Sequence, residues 1–339
     1  MAMQKFTVSN DKSIYEAWPD VVQTDSGKLI CVFSECEHHC NRENARIMIT
    51  ESTDRGRTWS AKKPLTEKGV SDNYFNCARI SKLLDGSLVI ICDKLKGFDE
   101  SSAKTYVWYG DKEGLNWSKP KIFDFNGIVP DKFLQLKNGR FIIANHTPSP
   151  ETGKLEQHLW YSDDGVNWSD RITVASDARY NLCEISILEC GNNTLVGFLR
   201  ENSRIGCDVL KVVSYDNGET WSEIYTTPIA CGHRPVAGFL KDSKVMITYR
   251  YIPGGAESRE NFFAAIVSED LLTATDRQQG YIRTFPIDYD RNHITDTGYS
   301  GWTQFDDGEI YVVNYIKDDC EKAYIRGYSF YPSDIALPE

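Results

Sequence analysis

Six times along the chain, an extended run meets a short polar turn and is followed at once by an apolar run. Aligned on the first apolar residue after the turn, the copies are Trp18–Leu29, Cys77–Leu88, Pro130–Phe141, Glu184–Leu195, Arg234–Val245 and Tyr299–Ile310, each twelve residues long without a gap. Their turns include Asp85-Gly86, Asn138-Gly139 and Asp307-Gly308. Asp-Gly or Asn-Gly between apolar runs is the strongest short-range signal of a β-hairpin. Helical periodicity is nearly absent. The pattern predicts an all-β chain founded on six hairpins.

A second pattern falls in the outer half of the repeat. Ser52-Thr53-Asp54-Arg55-Gly56-Arg57-Thr58-Trp59 recurs as Ser214-Tyr215-Asp216-Asn217-Gly218-Glu219-Thr220-Trp221. Asp163-Asp164-Gly165-Val166-Asn167-Trp168 and Gly114-Leu115-Asn116-Trp117 are degraded copies. Asp bonds nearby backbone N–H groups, Gly accepts positive φ, and the Trp anchors the next strand. The tryptophans 59, 117, 168 and 221 are spaced by 58, 51 and 53 residues. A period near 50 with strand and turn chemistry predicts propeller blades. The expectation is a six-bladed β-propeller of four-stranded antiparallel blades forming a single domain over 1–339, with blades at about 13–65, 70–125, 126–178, 179–230, 231–289 and 294–333. Lys5-Phe6-Thr7-Val8 is expected to close the ring against the last blade.

In such a ring the odd residues of the inner repeat face one another. The first positions are Trp18, Cys77, Pro130, Glu184, Arg234 and Tyr299. Two residues on come Asp20, Arg79, Lys132, Ser186, Val236 and Gly301. The end of the second strand adds Ser34, Asp93, His146, Arg200, Arg250 and Tyr315. Asp131 follows Pro130 as Asp20 follows Pro19, which makes both pocket candidates. Arginines converging at an axis suit an anion, because guanidinium matches carboxylate bidentately. The ordinary alternative is a set of Arg–acid pairs that only tie blades together.

The formal net charge of −11 argues against nucleic acid or an anionic membrane as a general partner. No apolar run approaches the ~18 residues that span a bilayer. The start, Met1-Ala2-Met3-Gln4-Lys5-Phe6, carries no apolar leader. Of the ten cysteines, Cys31, Cys92 and Cys183 sit in apolar strands, where a thiol behaves as a small hydrophobe. A reduced, cytoplasmic protein is expected. Cys36-x-His38-His39-Cys40 has zinc-type ligands, but on one tight loop with no second cluster; a loop lining a pocket is the better reading, with no metal or cofactor.

The turn motif is identified as the Asp-box, and the chain resembles the sialidase (neuraminidase) superfamily over essentially its whole length. Glu184-Ile185-Ser186-Ile187 with Phe198-Leu199-Arg200 resembles the family's fourth-blade pattern. Tyr299-Ser300-Gly301-Trp302 with Tyr315 resembles the sixth. The resemblance implies Tyr299 as nucleophile, Glu184 as its base, and Arg200 with Arg259 or Arg250 as clamps on a substrate carboxylate. A phenol needs a neighbouring carboxylate to attack at neutral pH. It also avoids repelling an acidic sugar, which an anionic nucleophile would not.

Two departures matter. Where the family has Arg-x-Pro in blade one, this chain has Ala17-Trp18-Pro19; Arg79 or Arg234 is expected to substitute. The loop that should carry an acid/base Asp, Glu35 to Glu43, has none; Glu37, His38, His39, Glu43 or the nearby Asp20 must then move the proton. Trp18 offers a face for sugar stacking. The expected function is a retaining, sialidase-like exo-glycoside hydrolase on an acidic sugar. The alternatives are a non-catalytic carbohydrate-binding propeller, or another glycosidase or polysaccharide lyase on the same scaffold. The expected partner is a small carbohydrate.

Overall fold

The computed structural model describes residues 3–70, 73–97, 99–255 and 258–335, so the ends of the expected 1–339 span lie outside it, as do positions 71–72, 98 and 256–257 within the expected second and fifth blades. Six antiparallel sheets follow one another along the chain and close into a six-bladed β-propeller. The first blade pairs Tyr15–Gln23, Leu29–Cys36, Arg46–Ser52 and Lys63–Pro64 in sequence order. The third (Leu134–Gln135 to Ile172–Ala175), fourth (Leu182–Gly191 to Tyr225–Thr226) and fifth (Gly232–Phe239 to Ile282–Tyr289) repeat that order. The sixth holds Ser300–Gln304, Ile310–Ile316 and Tyr324–Phe330. Its fourth strand is Gln4–Ser9, which pairs antiparallel with Tyr324–Phe330 and so joins the two ends of the chain.

The second blade differs from the expectation. Its inner strand comes in two pieces, Asn73–Phe75 and Arg79–Lys82, both paired to Leu88–Lys96. The interruption falls at Asn76–Ala78, where Asn76 N–H still donates to the Asp93 carbonyl at 2.9 Å.

Among the described residues the hydrophobic core is divided into six clusters, one at each interface between blades. Ile30, Val32 and Ile47 meet Ile80, Leu88 and Ile90 between blades one and two; Ile142 and Leu159 meet Ile185 and Leu199 between three and four. Each fully buried aliphatic side chain of this kind is worth about 1.5–3 kcal/mol. The alternation apolar–polar along each strand thus serves both faces of a blade, since both are covered by neighbours.

The repeated turns join the third and fourth strands, at the rim. In both intact copies the Asp accepts from the Thr backbone at 2.9 Å, and the Ser hydroxyl accepts the Gly N–H, at 2.8 Å from Gly56 and 2.9 Å from Gly218. Trp59 and Trp221 donate to the Gly56 and Gly218 carbonyls. In the degraded third copy, Trp168 Nε1 is buried without such a partner.

The inner strands are stitched together across blades by side chains donating to, or accepting from, a neighbour's backbone. Asp20 accepts from Ile80 N–H at 3.0 Å, Ser81 donates to the Phe133 carbonyl at 2.6 Å, Asp131 accepts from Ile187 N–H at 2.8 Å, and Ser186 accepts from Ala237 N–H at 3.1 Å. A Cβ on Gly301 would lie 1.9 Å from Asp20 Oδ1, so the sixth blade can close against the first only with glycine there.

Candidate functional site

The first position of the inner repeat is where the backbone leaves regular strand geometry. Pairing slips between Ala17 and Asp20, between Leu182 and Ile185, and between His233 and Val236. Trp18 and Arg234 hold φ of 56° and 49°. An extra residue in one strand is a bulge, which re-aims a side chain out of strict alternation. Residues with a Cβ pay roughly 1–3 kcal/mol for such φ values. In the sixth blade Gly298 takes the positive φ, 102°, just before Tyr299. A Cβ there would sit 2.4 Å from Arg250 Cβ, so glycine lets the chain enter Tyr299 alongside Arg250.

These bulges bring Glu184, Arg200 and Tyr299 into one buried network. Tyr299 donates its phenolic hydrogen to Glu184 Oε1. Arg200 Nη1 lies 3.0 and 2.9 Å from the two Glu184 oxygens and 3.0 Å from the Tyr299 oxygen, while Nη2 donates to Asn202 at 2.6 Å. The guanidinium groups of Arg250 and Arg234 stand 5.0 and 5.6 Å from the Tyr299 ring centroid. Burial pushes the Glu184 carboxyl up, but Arg200, then His146 and Arg234, outweigh it and hold the group well below the usual carboxylate range. Burial and then the Glu184 charge push the Tyr299 phenol up, against Arg200. At neutral pH the pair is therefore a carboxylate facing a neutral phenol. Burial drives His146 down to about 4 and His233 down to about 2, so both imidazoles are neutral.

A second network adjoins the first. Asp296 accepts from Tyr15, from Tyr315 at 2.6 Å, and meets His39 Nδ1 at 2.8 Å. Arg250 donates to Tyr315 and to the Thr297 carbonyl, and pairs with Glu260 at 3.3 Å. The rings of Tyr299 and Tyr315 are 6.3 Å apart, and Trp18 lies 6.2 Å from Tyr315 and 5.3 Å, edge-on, from His39. Arg42, from the loop after the second strand, lies over the Trp18 ring at 4.2 Å, donates to Asn76 at 2.6 Å and to the His39 carbonyl at 2.9 Å.

The sequence-derived candidates separate accordingly. Tyr299, Glu184, Arg200, Arg250, Arg234 and Trp18 come together. Arg79 is buried below them, donating to the Ser300 carbonyl at 2.9 Å and facing Asp20 at 3.4 Å. Asp20, expected to face the channel as a proton carrier, is instead fully buried and committed on both oxygens: to Ile80 N–H and Arg79 on one side, to Val21 N–H at 2.9 Å and Lys132 at 3.3 Å on the other. Asp131, expected to line the pocket, is a backbone clamp of the same kind. Arg259, the rival to Arg250, is exposed. Glu37 is exposed and turned to Lys322 at 3.9 Å. His38 is exposed and closes its own loop, accepting from Cys40 N–H at 3.3 Å. Cys36 is buried while Cys40 is exposed, and among the described residues no group of His, Cys, Asp and Glu gathers that could hold a metal.

Sequence reasoning did not single out Arg42, Asp296 or Tyr15. Arg42 and Asp296 lie outside the twelve-residue repeat, so register could not place them; only their loops' neighbourhood to the first and sixth blades does. A separate cavity of about 410 Å³, lined by Asp131, Lys132, Ser186, Val236, Lys241 and Trp302 among others, opens at the turn end of the inner strands, away from Tyr299.

Fold and network together define a β-propeller whose inner strands gather arginines around a tyrosine–glutamate pair. The chain belongs to the BNR repeat-like domain family, whose model matches residues 76–270, more than half of its length. No curated protein matches it by sequence. Among solved structures it is similar to a protein of unknown function from Dyadobacter fermentans (TM-score 0.78, 20% identity, covering 97% of this chain and 98% of that one). It is also similar to the intramolecular trans-sialidase of Ruminococcus gnavus in complex with oseltamivir carboxylate (0.72, 16%, 97% and 96%). A third is the family GH93 α-L-arabinofuranosidase of Fusarium graminearum in complex with arabinobiose (0.66, 11%, 98% and 98%). At these identities the likeness is one of fold. Among the described residues no helix is long and apolar enough to cross a membrane.

Proposed function

We propose that the chain is a retaining exo-glycoside hydrolase acting on the non-reducing end of an acidic, sialic-acid-like sugar. The observation that supports this most is the Tyr299–Glu184–Arg200 network. Tyr299 attacks the anomeric carbon as Glu184, held ionised by Arg200, takes its proton. A neutral nucleophile that becomes anionic only as the bond forms does not repel a sugar carboxylate. Arg200 also steadies the carboxylate through the step, since its Nη1 lies about 3 Å from both Glu184 oxygens in a charge-assisted pair. Arg250 and Arg42 supply positive charge at the sugar acid. Arg42 brings from a loop the cation that Ala17 does not supply from the strand. The R. gnavus neighbour is a trans-sialidase by name, and that agrees with an acidic sugar here.

The test is a panel of aryl glycosides, including the α-sialoside, against the purified protein, Tyr299→Phe and Glu184→Gln. Turnover by the wild type, with each variant reduced by about 10²–10⁴-fold, is the expected result. Turnover that both substitutions leave intact would overturn the assignment. Absent turnover on any glycoside, with sugar still bound, would favour a carbohydrate-binding propeller, a reading that the missing first-blade arginine (Ala17) supports.

A further inference from the structure

Cleavage of a glycosidic bond by a tyrosine needs a proton for the departing oxygen. Glu184 and Tyr299 cannot supply it, because Glu184 is ionised and receives the phenolic proton in the same step. The donor must be held firmly, stand beside the pair, and keep one face open. Asp20 and Asp93 are fully buried, so neither reaches a substrate. Glu37 turns away to Lys322, and His38 spends its Nδ1 on its own loop.

His39 is differently placed. Its Nδ1 is 2.8 Å from Asp296 Oδ2, and its side chain keeps 30% of its exposure against 14% for Asp296. That carboxylate is fixed from several sides: Tyr15 and Tyr315 donate to it, Arg250 lies 3.9 Å away, and the Asp296 N–H donates to Asp290 at 2.9 Å. Burial pushes the Asp296 carboxyl up, and the bond and charge of His39, then Arg250 and Tyr15, bring it below the usual carboxylate range. Trp18 meets the imidazole edge-on, and Arg42 holds the loop through the His39 carbonyl. Tyr315, which shares Asp296 with His39, has its ring 6.3 Å from that of Tyr299. With Nδ1 engaged by a carboxylate, Nε2 is the nitrogen left to exchange protons, the arrangement in which a histidine is oriented by an acid.

We infer that His39, oriented by Asp296, is the general acid and base of this site. The inference rests on the glycosidase reading above. As Tyr299 oxygen bonds to the anomeric carbon, the bond from that carbon to the departing oxygen breaks. Nε2–H of the imidazolium gives its proton to the departing oxygen, while the phenolic proton passes to Glu184. The neutral imidazole then takes a proton from water as that water attacks the anomeric carbon. The carbon–tyrosine bond breaks and Glu184 returns its proton to the phenol, restoring both groups.

The experiment compares an aryl glycoside, whose leaving group departs as an anion, with an alkyl glycoside of the same sugar. The sugar is whichever member of the panel the wild type turns over. His39→Gln is expected to lower alkyl glycoside turnover by about 10²–10⁴-fold. Aryl glycoside cleavage should fall far less in the bond-breaking step, and added azide should accelerate it with glycosyl azide as product. Asp296→Asn should lower alkyl glycoside turnover more than aryl glycoside bond breaking, because the imidazole loses the carboxylate that fixes its tautomer and orientation. Melting temperatures of both variants report folding. Equal losses on both substrates, no loss on either, or no azide product with folded His39→Gln would overturn the inference and leave His39–Asp296 as a loop tie. A wild type inactive on every glycoside removes the glycosidase reading itself, and this inference with it.

Discussion

Blades one to three and blades four to six present the same backbone position to the channel with different chemistry. In the second half-ring it carries Glu184, Arg234 and Tyr299; in the first, Trp18, Cys77 and Pro130. The second half holds a charged network in which each acid faces a side chain. In the first half the buried carboxylates Asp20 and Asp131 face backbone N–H groups of the next blade. A buried carboxylate therefore says little until its partners are known: Asp20 and Asp131 accept a neighbouring blade's backbone amide and fasten it, Asp20 with Arg79 and Lys132 beside it, whereas Glu184 meets a phenol that can give it a proton. What the first half contributes to the site comes from a loop, through Arg42 and His39 stacked about Trp18.

Truncating one charge in each half tells the two halves apart most plainly. Arg200→Ala leaves Glu184 buried and uncompensated, and breaking a buried pair this way costs roughly 3–5 kcal/mol. Asp20→Ala strands Ile80 N–H, Arg79 and Lys132, with a stability loss of similar order. Denaturant melts should show both losses. Turnover separates them: Arg200→Ala is expected to abolish it by releasing Glu184, whereas folded Asp20→Ala should turn over as the wild type does. Loss of turnover by folded Asp20→Ala would place that carboxylate in the site after all.

How much of this was legible in the chain follows from the same contrast. The six hairpins, the closing strand and the rim turns are local, written in Asp-Gly turns and alternating apolar residues, and they can be read directly. The meeting of Glu184, Arg200 and Tyr299 follows from register, since equivalent positions of a closed ring must face one another. Register fails for Asp20 and Asp131, because facing a channel does not say whether a carboxylate meets solvent or the next strand's amide. It fails too for Arg42 and Asp296, which lie between repeats, where only the three-dimensional path of a loop decides the neighbour. The break at Asn76–Ala78 has no marker in the aligned repeat, which runs through Cys77 without a gap.

Asp93 holds in blade two the second-strand position where blades four and five carry Arg200 and Arg250. It is fully buried, accepts from Val129 N–H at 2.8 Å, and burial pushes its carboxyl up to about 7 against that donation. The folded state then keeps a proton that the unfolded chain releases near pH 3.8. Stability falls as pH rises through the window from about 4 to 7, and below that window the penalty is absent. Asparagine keeps the acceptor for Val129 and does not titrate. Asp93→Asn should therefore match the wild type near pH 4 and exceed it by on the order of 4 kcal/mol at pH 8. Thermal melts across that range check it; a pH-independent difference would show that Asp93 does not titrate in the window.

The smallest expected effect tests whether the first half-ring contributes to the site at all. Arg42 packs on Trp18, a cation–π contact worth about 0.5–2 kcal/mol, and holds Asn76 beside the break in blade two. It stands near Tyr299 but bonds neither Tyr299 nor Glu184, so its removal should spare the chemical step. Arg42→Ala is expected to raise KM for an acidic glycoside by about 2–30-fold, in line with that energy. kcat should change by less than about threefold. Arg42→Lys should recover only part of the loss, because an ammonium cannot stack its plane on indole while donating to two carbonyl oxygens. An unchanged KM for Arg42→Ala would assign the anion seat wholly to blades four to six, and Trp18 would then be scaffolding for the loop alone.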